Sequence, residues 1–242
     1  MSDRRGDVVA SLDSVSRVYK MGGEMVNALI DFTFQFRSGE YWAVMGTSGS
    51  GKSTLLNLLG CIDRPSSGSY KIRGQEVSNL DDDELSALRG RELGFIFQSY
   101  NLIPQLNVID NILVPVIYQD DPIPNAKERA IEIAERVGLK GRLDHRPNQL
   151  SGGQQQRVAI ARSLINDPAM ILADEATGNL DSQTAGEILD LFDELNDSGK
   201  TILLVTHEPE VGRRAQHILR LKDGRIEAVE HRDADQPEEA HR

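Results

Sequence analysis

The sequence predicts an α/β fold: a mostly parallel sheet with helices on both faces, an antiparallel β subdomain ahead of it, and a helical subdomain inserted within it. Three observations predict this. Short apolar runs at 41–45, 93–97, 170–173 and 201–206 alternate with helix-patterned segments. Ile30, Phe32, Phe34 and Phe36 alternate with Asp31, Thr33 and Gln35, the period of a half-buried strand near the N-terminus. From Tyr100 to about Pro168 the apolar spacing becomes helical, between two strands of the core.

The core is organised around Gly46-Thr47-Ser48-Gly49-Ser50-Gly51-Lys52-Ser53-Thr54, which fits the phosphate-binding (P-loop) pattern G-x-x-x-x-G-K-[ST]. Its context is the one the pattern needs. Tyr41-Trp42-Ala43-Val44-Met45 reads as a short buried strand before it, and Leu55-Leu56-Asn57-Leu58-Leu59 as the apolar side of a helix after it. Gly46, Gly49 and Gly51 let the backbone close around a phosphate with its N–H groups inward. The following helix adds the partial positive charge of its N-terminus. Lys52 supplies a full charge for the β- and γ-phosphates, and Ser53 a hydroxyl for Mg²⁺. The fold class is thus a P-loop nucleoside-triphosphatase core.

Taken in order, residues 8–19 read as a strand that turns back through Gly22-Gly23 into the alternating one. Tyr19 is either an ordinary strand aromatic or a platform on which an adenine stacks. A turn at 64–68 leads to a strand at 69–72. Asp81-Asp82-Asp83-Glu84 opens a helix that Gly90 is expected to end; acids belong in a first turn, so this cluster reads as helix-start charge rather than a metal site. Residues 93–97 form a buried strand ending at Gln98. Residues 107–118 are apolar and helical, with Pro115 kinking or ending them. Asn125 with Glu128 reads as a helix cap, Gly138 as its stop, and Ala130, Ile131, Ala134 and Val137 as its buried stripe. Ser151 caps a helix with Val158, Ala161 and Ile165 buried, which Asp167-Pro168 ends. Residues 170–173 form a strand closed by Asp174-Glu175. A helix starts at Asp181/Ser182 and stops at Gly199, and a strand at 201–206 is closed by His207. A hairpin at 217–222 and 225–229 turns on Asp223-Gly224. One domain is expected over 1–229, with the helical subdomain at about 99–168, and an acidic, disordered tail over 230–242.

The chain has 242 residues, 39% hydrophobic and 27% charged, with a net charge of −11, of which the tail contributes −3. No basic stripe is evident, so no nucleic-acid partner is expected. No run approaches the about 18 apolar residues of a membrane span, and no secretory leader is expected from the polar start. The single cysteine, Cys61, excludes an internal disulfide and reads as a small core residue in a reducing, cytoplasmic compartment.

In an open parallel sheet, ligands gather at the C-terminal strand ends. Gly46, Gln98, Asp174-Glu175 and His207 all fall there. Asp174 can hold Mg²⁺ through its water shell, while Glu175, pointing elsewhere, can reach an attacking water as general base or water-polariser. Lys52 and His207 suit neutralisation of the γ-phosphate. Leu150-Ser151-Gly152-Gly153-Gln154 reads as a second anion cradle: a hydroxyl, two small residues and a helix N-terminus. One γ-phosphate cannot lie on both cradles of one chain if they sit in different subdomains. A head-to-tail pair resolves this, each Ser151 cradle closing over the other subunit's Lys52 loop.

Together these residues resemble the ATP-binding subunits of ABC transporters, over residues 8 to 229. The resemblance implies that Tyr19 stacks the adenine and that Gly46, Ser48, Gly49, Ser50, Gly51, Lys52, Ser53 and Thr54 form the Walker A loop. It implies that Gln98 is the Q-loop glutamine, catalytic and a Mg²⁺ contact beside Ser53 and Asp174. Residues 150–154 match the signature motif, so Ser151, Gly153 and Gln154 would contact ATP. Asp174 ends Walker B, Glu175 is the catalytic carboxylate, Asp181 closes the D-loop and also contacts nucleotide, and His207 is the switch histidine. The implied activity is hydrolysis of ATP to ADP and phosphate with Mg²⁺, coupled to transport. The implied partners are a second ATPase subunit, with ATP sandwiched between, and a separate integral membrane permease that holds the chain on the inner face of the cell membrane. The permease is expected at the groove beside Gln98 and residues 100–104. Finer motifs at 94–104, 147–149 and 173–181 resemble the MacB/LolD branch, which serves macrolide efflux, lipoprotein release and peptide export. Ala176 stands where that branch usually has proline, a change expected to loosen the turn after Glu175. A non-transport ABC ATPase acting on a ribosome or DNA is the alternative; such relatives usually carry two cassettes or a long coiled-coil insertion, absent here.

Overall fold

The computed structural model describes residues 6–119 and 123–232. Two sheets are present among them. The smaller has the order β2-β1-β4-β5 and is antiparallel, built from β1 (Val8–Met21), β2 (Glu24–Arg37), β4 (Ser67–Ile72) and the short β5 (Gln75–Glu76). The larger has the order β10-β9-β3-β8-β7-β6, from β3 (Tyr41–Met45), β6 (Leu93–Phe97), β7 (Met170–Asp174), β8 (Ile202–Val205), β9 (His217–Lys222) and β10 (Arg225–His231). All its neighbours are parallel except β10 against β9.

The parallel strands are buried on both faces, which is why they read as continuous apolar runs. Along β3, Trp42 and Val44 enter the core shared with the antiparallel sheet and helix α1 (Lys52–Leu59), whereas Tyr41, Ala43 and Met45 face the opposite core. The same alternation of period 2 divides Leu172 from Ala173 and Leu203 from Leu204. The second core is closed by α3 (Val108–Leu113), α4 (Ala126–Arg136), α5 (Gly152–Leu164) and α6 (Ser182–Asp197). Burying Leu55, Leu58 and Leu59 of α1 stabilises its seat by roughly 1.5–3 kcal/mol each. Cys61 is buried, and burial pushes its thiol pKa up to about 12, so it is a core residue as read. Among the described residues no helix is long and apolar enough to cross a membrane.

Several boundaries differ from the sequence reading. Gly90 does not end α2 (Asp82–Glu92); the helix continues through it and passes straight into β6. That glycine instead lets α2 lie close to Gln119, whose Nε2 would sit 3.1 Å from an added Cβ. Asp81 does cap α2, in a reciprocal box with Glu84. Asn125 precedes α4 without a capping bond, because its backbone is left-handed (φ 54°) rather than extended. The helix α3 gives way to a 3-10 turn (Val114–Tyr118) at the residue before Pro115, whose nitrogen has no N–H to continue the α-helical bonding. Strand β4 starts at Ser67, and β10 runs to His231, past the expected tail boundary at 230. The rest of the expected acidic tail, 233–242, lies outside the described residues.

Candidate functional site

The chain leaves β3 into the glycine loop and enters α1 at Lys52. The loop is tight enough to define its own sequence. At Gly51 the backbone is left-handed (φ 106°), and a Cβ there would sit 2.6 Å from the Ala28 carbonyl oxygen. A Cβ on Gly46 would meet the Leu221 carbonyl oxygen at 2.3 Å and Ser50 Oγ at 2.5 Å. Lys52 Nζ arches back across the loop and donates to the Gly46 and Thr47 carbonyls at 2.7 and 3.0 Å. Its charge therefore sits over the loop. Ser50 Oγ is buried with no hydrogen-bond partner, an unmet polar group inside a loop shaped for an anion.

The β9–β10 hairpin completes the loop's surroundings. Its turn, Asp223-Gly224, is left-handed at both residues (φ 49° and 74°). The Gly224 N–H donates to the Ser50 carbonyl at 3.1 Å, and the Gly224 carbonyl accepts the Ile30 N–H at 2.8 Å. The hairpin thus ties the phosphate loop to β2. Sequence reasoning found this turn but not its target; the only signal was Asp-Gly, which specifies a turn and not what it touches.

A cavity of about 660 Å³ opens over the loop, lined by Tyr19, Ala28, Ser48, Lys52, Glu175 and His207 among others. Its lining thus combines an aromatic, a lysine, a carboxylate and an imidazole. That volume and polarity suit one nucleotide. Glu175 follows β7 in a left-handed conformation (φ 44°), its N–H bonded to the Val205 carbonyl at 3.0 Å. Such a conformation in a non-glycine residue costs of order 1–3 kcal/mol and marks an imposed orientation. His207 Nδ1 donates to Glu175 Oε1 at 2.7 Å. Asp174 lies beside them. Burial first, then the Glu175 charge, raise its carboxyl pKa, and Lys52 partly offsets both. The turn after Glu175 is held without proline: Ala176 is buried and its carbonyl accepts Gln156 Nε2 of α5 at 2.7 Å. The loosening expected from Ala176 is thereby opposed.

Not every expected site residue joins this cavity. Gln98 does not line it; its Nε2 donates to Asn179 Oδ1 at 3.3 Å, and its carbonyl accepts Asn179 Nδ2 at 2.9 Å. Its amide passes close over Gly178, where an added Cβ would lie 2.7 Å from Nε2. Ser151, Gly153, Gln154 and Asp181 lie outside it too. Ser151 Oγ accepts the Gln154 N–H at 3.3 Å and Gln154 Oε1 accepts the Ser151 N–H at 3.0 Å, a closed capping box on α5. Asp181 caps α6 and accepts both the N–H (3.0 Å) and the hydroxyl (2.7 Å) of Thr184. These bonds, the hydroxyl's first, hold its carboxyl below the usual range. Gly153 packs on the same Thr184, whose Cγ2 would sit 2.3 Å from an added Cβ. The two helix starts therefore form one unit, separate from their own chain's cavity. Among the described residues no three His, Cys, Asp or Glu side chains cluster as a metal site; a divalent ion held here would need Ser53 and nucleotide oxygens beside Asp174.

Comparison with known proteins agrees with this geometry. A family model described as ABC transporter matches residues 29–178. An ABC transporter ATP-binding protein of Thermotoga maritima is 53% identical over 224 residues, covering 93% of this chain and 96% of that protein. A macrolide export ATP-binding/permease protein, MacB 1/2, of Paracoccus denitrificans is 49% identical over 92% of this chain, which spans only 33% of that protein. The ATP-binding cassette MJ0796, solved as a dimer in a post-hydrolysis state bound to ADP and Pi, superposes with a TM-score of 0.83 at 44% identity, covering 92% of this chain and 98% of that one. This chain belongs to the ABC transporter family, as one of its ATP-binding, ATP-hydrolysing cassettes.

Proposed function

We propose that two copies of this chain close head to tail on ATP and thereby drive a separate membrane permease in export, the work named for its MacB relatives. The observation that carries the reading is the division of the site. Lys52, Glu175 and His207 share one cavity, while Ser151, Gly153 and Asp181 sit on helix starts that do not reach it. A second copy's cradle supplies what the cavity lacks. The names of the relatives support transport over action on a ribosome or DNA.

The chain's own groups account for hydrolysis. Tyr19 stacks the adenine, and the loop N–H groups with Lys52 bind the phosphates and neutralise charge on the terminal one. Glu175 accepts the proton of the attacking water as its oxygen bonds to the terminal phosphorus and the bond to the ADP oxygen breaks. His207 orients Glu175 through their hydrogen bond and lines the same cavity. Ser53 and Asp174 would hold Mg²⁺, which supplies further charge neutralisation on the phosphate oxygens. Gln98 joins them only by exchanging its bond to Asn179. Ser151 and Gly153 of the second copy close the site against water.

The permease surface is a groove of about 430 Å³ between α2, β6 and the 3-10 turn, lined by Phe95, Phe97, Pro115, Tyr118 and Arg162 among others. Of the stretch expected from the sequence, Gln98 and residues 100–104, Asn101 lines it; Tyr118 in its lining is exposed, as is the neighbouring Ile117. Through that groove the chain would sit on the cytoplasmic face of the membrane.

Size-exclusion with light scattering tests the reading. Glu175→Gln with ATP should elute as a dimer, and adding Ser151→Arg to that variant should return it to monomer while nucleotide binding persists. A doubly substituted chain that still dimerised on ATP would overturn the trans cradle.

A further inference from the structure

Beside the cavity, Tyr19 forms a cluster with two residues that no motif contains, Arg17 and Asp63. Tyr19 donates its hydroxyl to Asp63 Oδ2 at 2.6 Å. The Arg17 guanidinium lies over the Tyr19 ring, Cζ 4.5 Å from the centroid, and is ion-paired with Asp63 Oδ1 at 2.7 Å. Asp63 Oδ1 also accepts the Arg64 N–H at 2.8 Å. One carboxylate thus takes both the anchor of the aromatic and the anchor of the cation stacked on it.

The backbone is bent to allow this. The β1–β2 register shifts on both sides of Arg17, and such bulges re-aim side chains. The Val18 N–H is bonded to Ser66 Oγ at 3.0 Å. Asp63 sits just past the C-terminus of α1, where the Ile62 and Asp63 N–H groups both bond to the Asn57 carbonyl at 2.9 and 3.1 Å. The helix that carries Lys52 at its first turn therefore carries, just beyond its last, the carboxylate that holds Tyr19.

We propose that Arg17 and Asp63 are positioning residues for the nucleotide base. The inference rests on the reading that Tyr19 stacks that base. Tyr19 lines the cavity and Arg17 does not, so the guanidinium covers one ring face and leaves the other to the base. A cation held over an aromatic ring face restrains its plane. The hydroxyl bond to Asp63 fixes its direction. Because Asp63 and the phosphate loop lie at opposite ends of α1, about 12 Å of rigid helix sets the spacing between base and phosphate subsites. A platform ordered before binding spares the nucleotide the cost of ordering it.

The test compares a ligand with a base and one without. ADP binding is measured by calorimetry on the full chain, and inorganic pyrophosphate binding by competition. Arg17→Ala and Asp63→Ala should each weaken ADP about three- to tenfold and leave pyrophosphate unchanged. Tyr19→Ala should weaken ADP about tenfold or more, the range of one base–aromatic stack. Tyr19→Phe keeps the ring, removes only its anchor, and should weaken ADP two- to threefold by the same reasoning; it serves if Asp63→Ala does not fold. Equal losses for ADP and pyrophosphate would show that Asp63 merely supports α1 and would overturn the inference. Unchanged ADP affinity in the Arg17, Asp63 and Tyr19→Phe variants, with a loss in Tyr19→Ala, would also overturn it while leaving the stacking reading intact. Unchanged affinity in Tyr19→Ala would remove the stacking reading itself.

Discussion

His207 Nδ1 meets Glu175 Oε1 at 2.7 Å, although the two side chains follow different, adjacent strands. The parallel register of β7 and β8 pairs Asp174 with Val205, so Glu175, one residue beyond the pair, and His207, two beyond, emerge at the same end of the sheet. Glu175 is then turned toward His207 by its left-handed backbone. The imidazole is the more exposed partner, at 62% against 29%, so it can move with a ligand while the carboxylate stays.

Removing that tether should disorder the carboxylate without touching the phosphate loop. His207→Ala is expected to lower kcat at least tenfold, within the range that general-base positioning supplies. The KM for ATP should change less than about threefold, because the loop contacts remain. Steady-state phosphate release measures both, and a wild-type kcat would show that the contact has no part in hydrolysis.

Lys52 is the one side-chain cation folded over the loop's own carbonyls among the cavity residues. Lys52→Ala should abolish tight ATP binding, a loss of about a hundredfold or more at charge-assisted contacts. Equilibrium titration with ATP reads this directly. Affinity equal to the parent chain's would sink the assignment of the phosphate loop.

Asp174 links function to stability. Its folded pKa is raised, mainly by burial and then by Glu175, so the folded chain keeps a proton that the unfolded chain releases. The stability this carboxyl contributes is fully present below its unfolded pKa and is lost as pH rises through its folded one. At neutral pH the ionised group opposes folding. Asp174→Asn is therefore expected to raise Tm at about pH 7.5, with a smaller gain near pH 3, below the ordinary carboxyl value of 3.8, where both states hold the proton, while ATP hydrolysis falls. Differential scanning calorimetry at the two pH values decides it; a Tm lowered at neutral pH would contradict the sign.

Gly51 has no room for a side chain. Gly51→Ala combines a left-handed φ with a Cβ 2.6 Å from the Ala28 carbonyl oxygen, and that neighbour is backbone of β2. The expected cost is about 1–3 kcal/mol, seen as a lower Tm and weaker nucleotide binding together. An unchanged melting curve would mean that the loop and β2 separate at little cost.

Much of this molecule was legible before folding because its signals are local. The apolar runs of β3, β6, β7 and β8, the Gly-Lys loop, the acidic helix start at Asp81–Glu84 and the break at Pro115 each depend on a few adjacent residues. Where the reading failed, a distant contact decided. Gly90 looked like a helix stop but serves the close approach of Gln119. Asn125 looked like a cap, yet its backbone conformation takes the side chain out of reach. Gln98 ends its strand as expected, but Asn179 holds its amide away from the cavity.

The sequence by itself determined the α/β class, the strand ends where candidate site residues gather, and the phosphate-loop pattern, because periodicity and spacing encode local geometry. Only the tertiary structure decided which of those residues meet. It brought Tyr19, Lys52, Glu175 and His207 into one cavity and set Ser151, Gly153 and Asp181 on another unit. It also joined Arg17, Tyr19 and Asp63, and turned the β9–β10 hairpin onto the phosphate loop. Such meetings depend on sheet order and register between segments up to about 180 residues apart, which no short stretch of chain encodes.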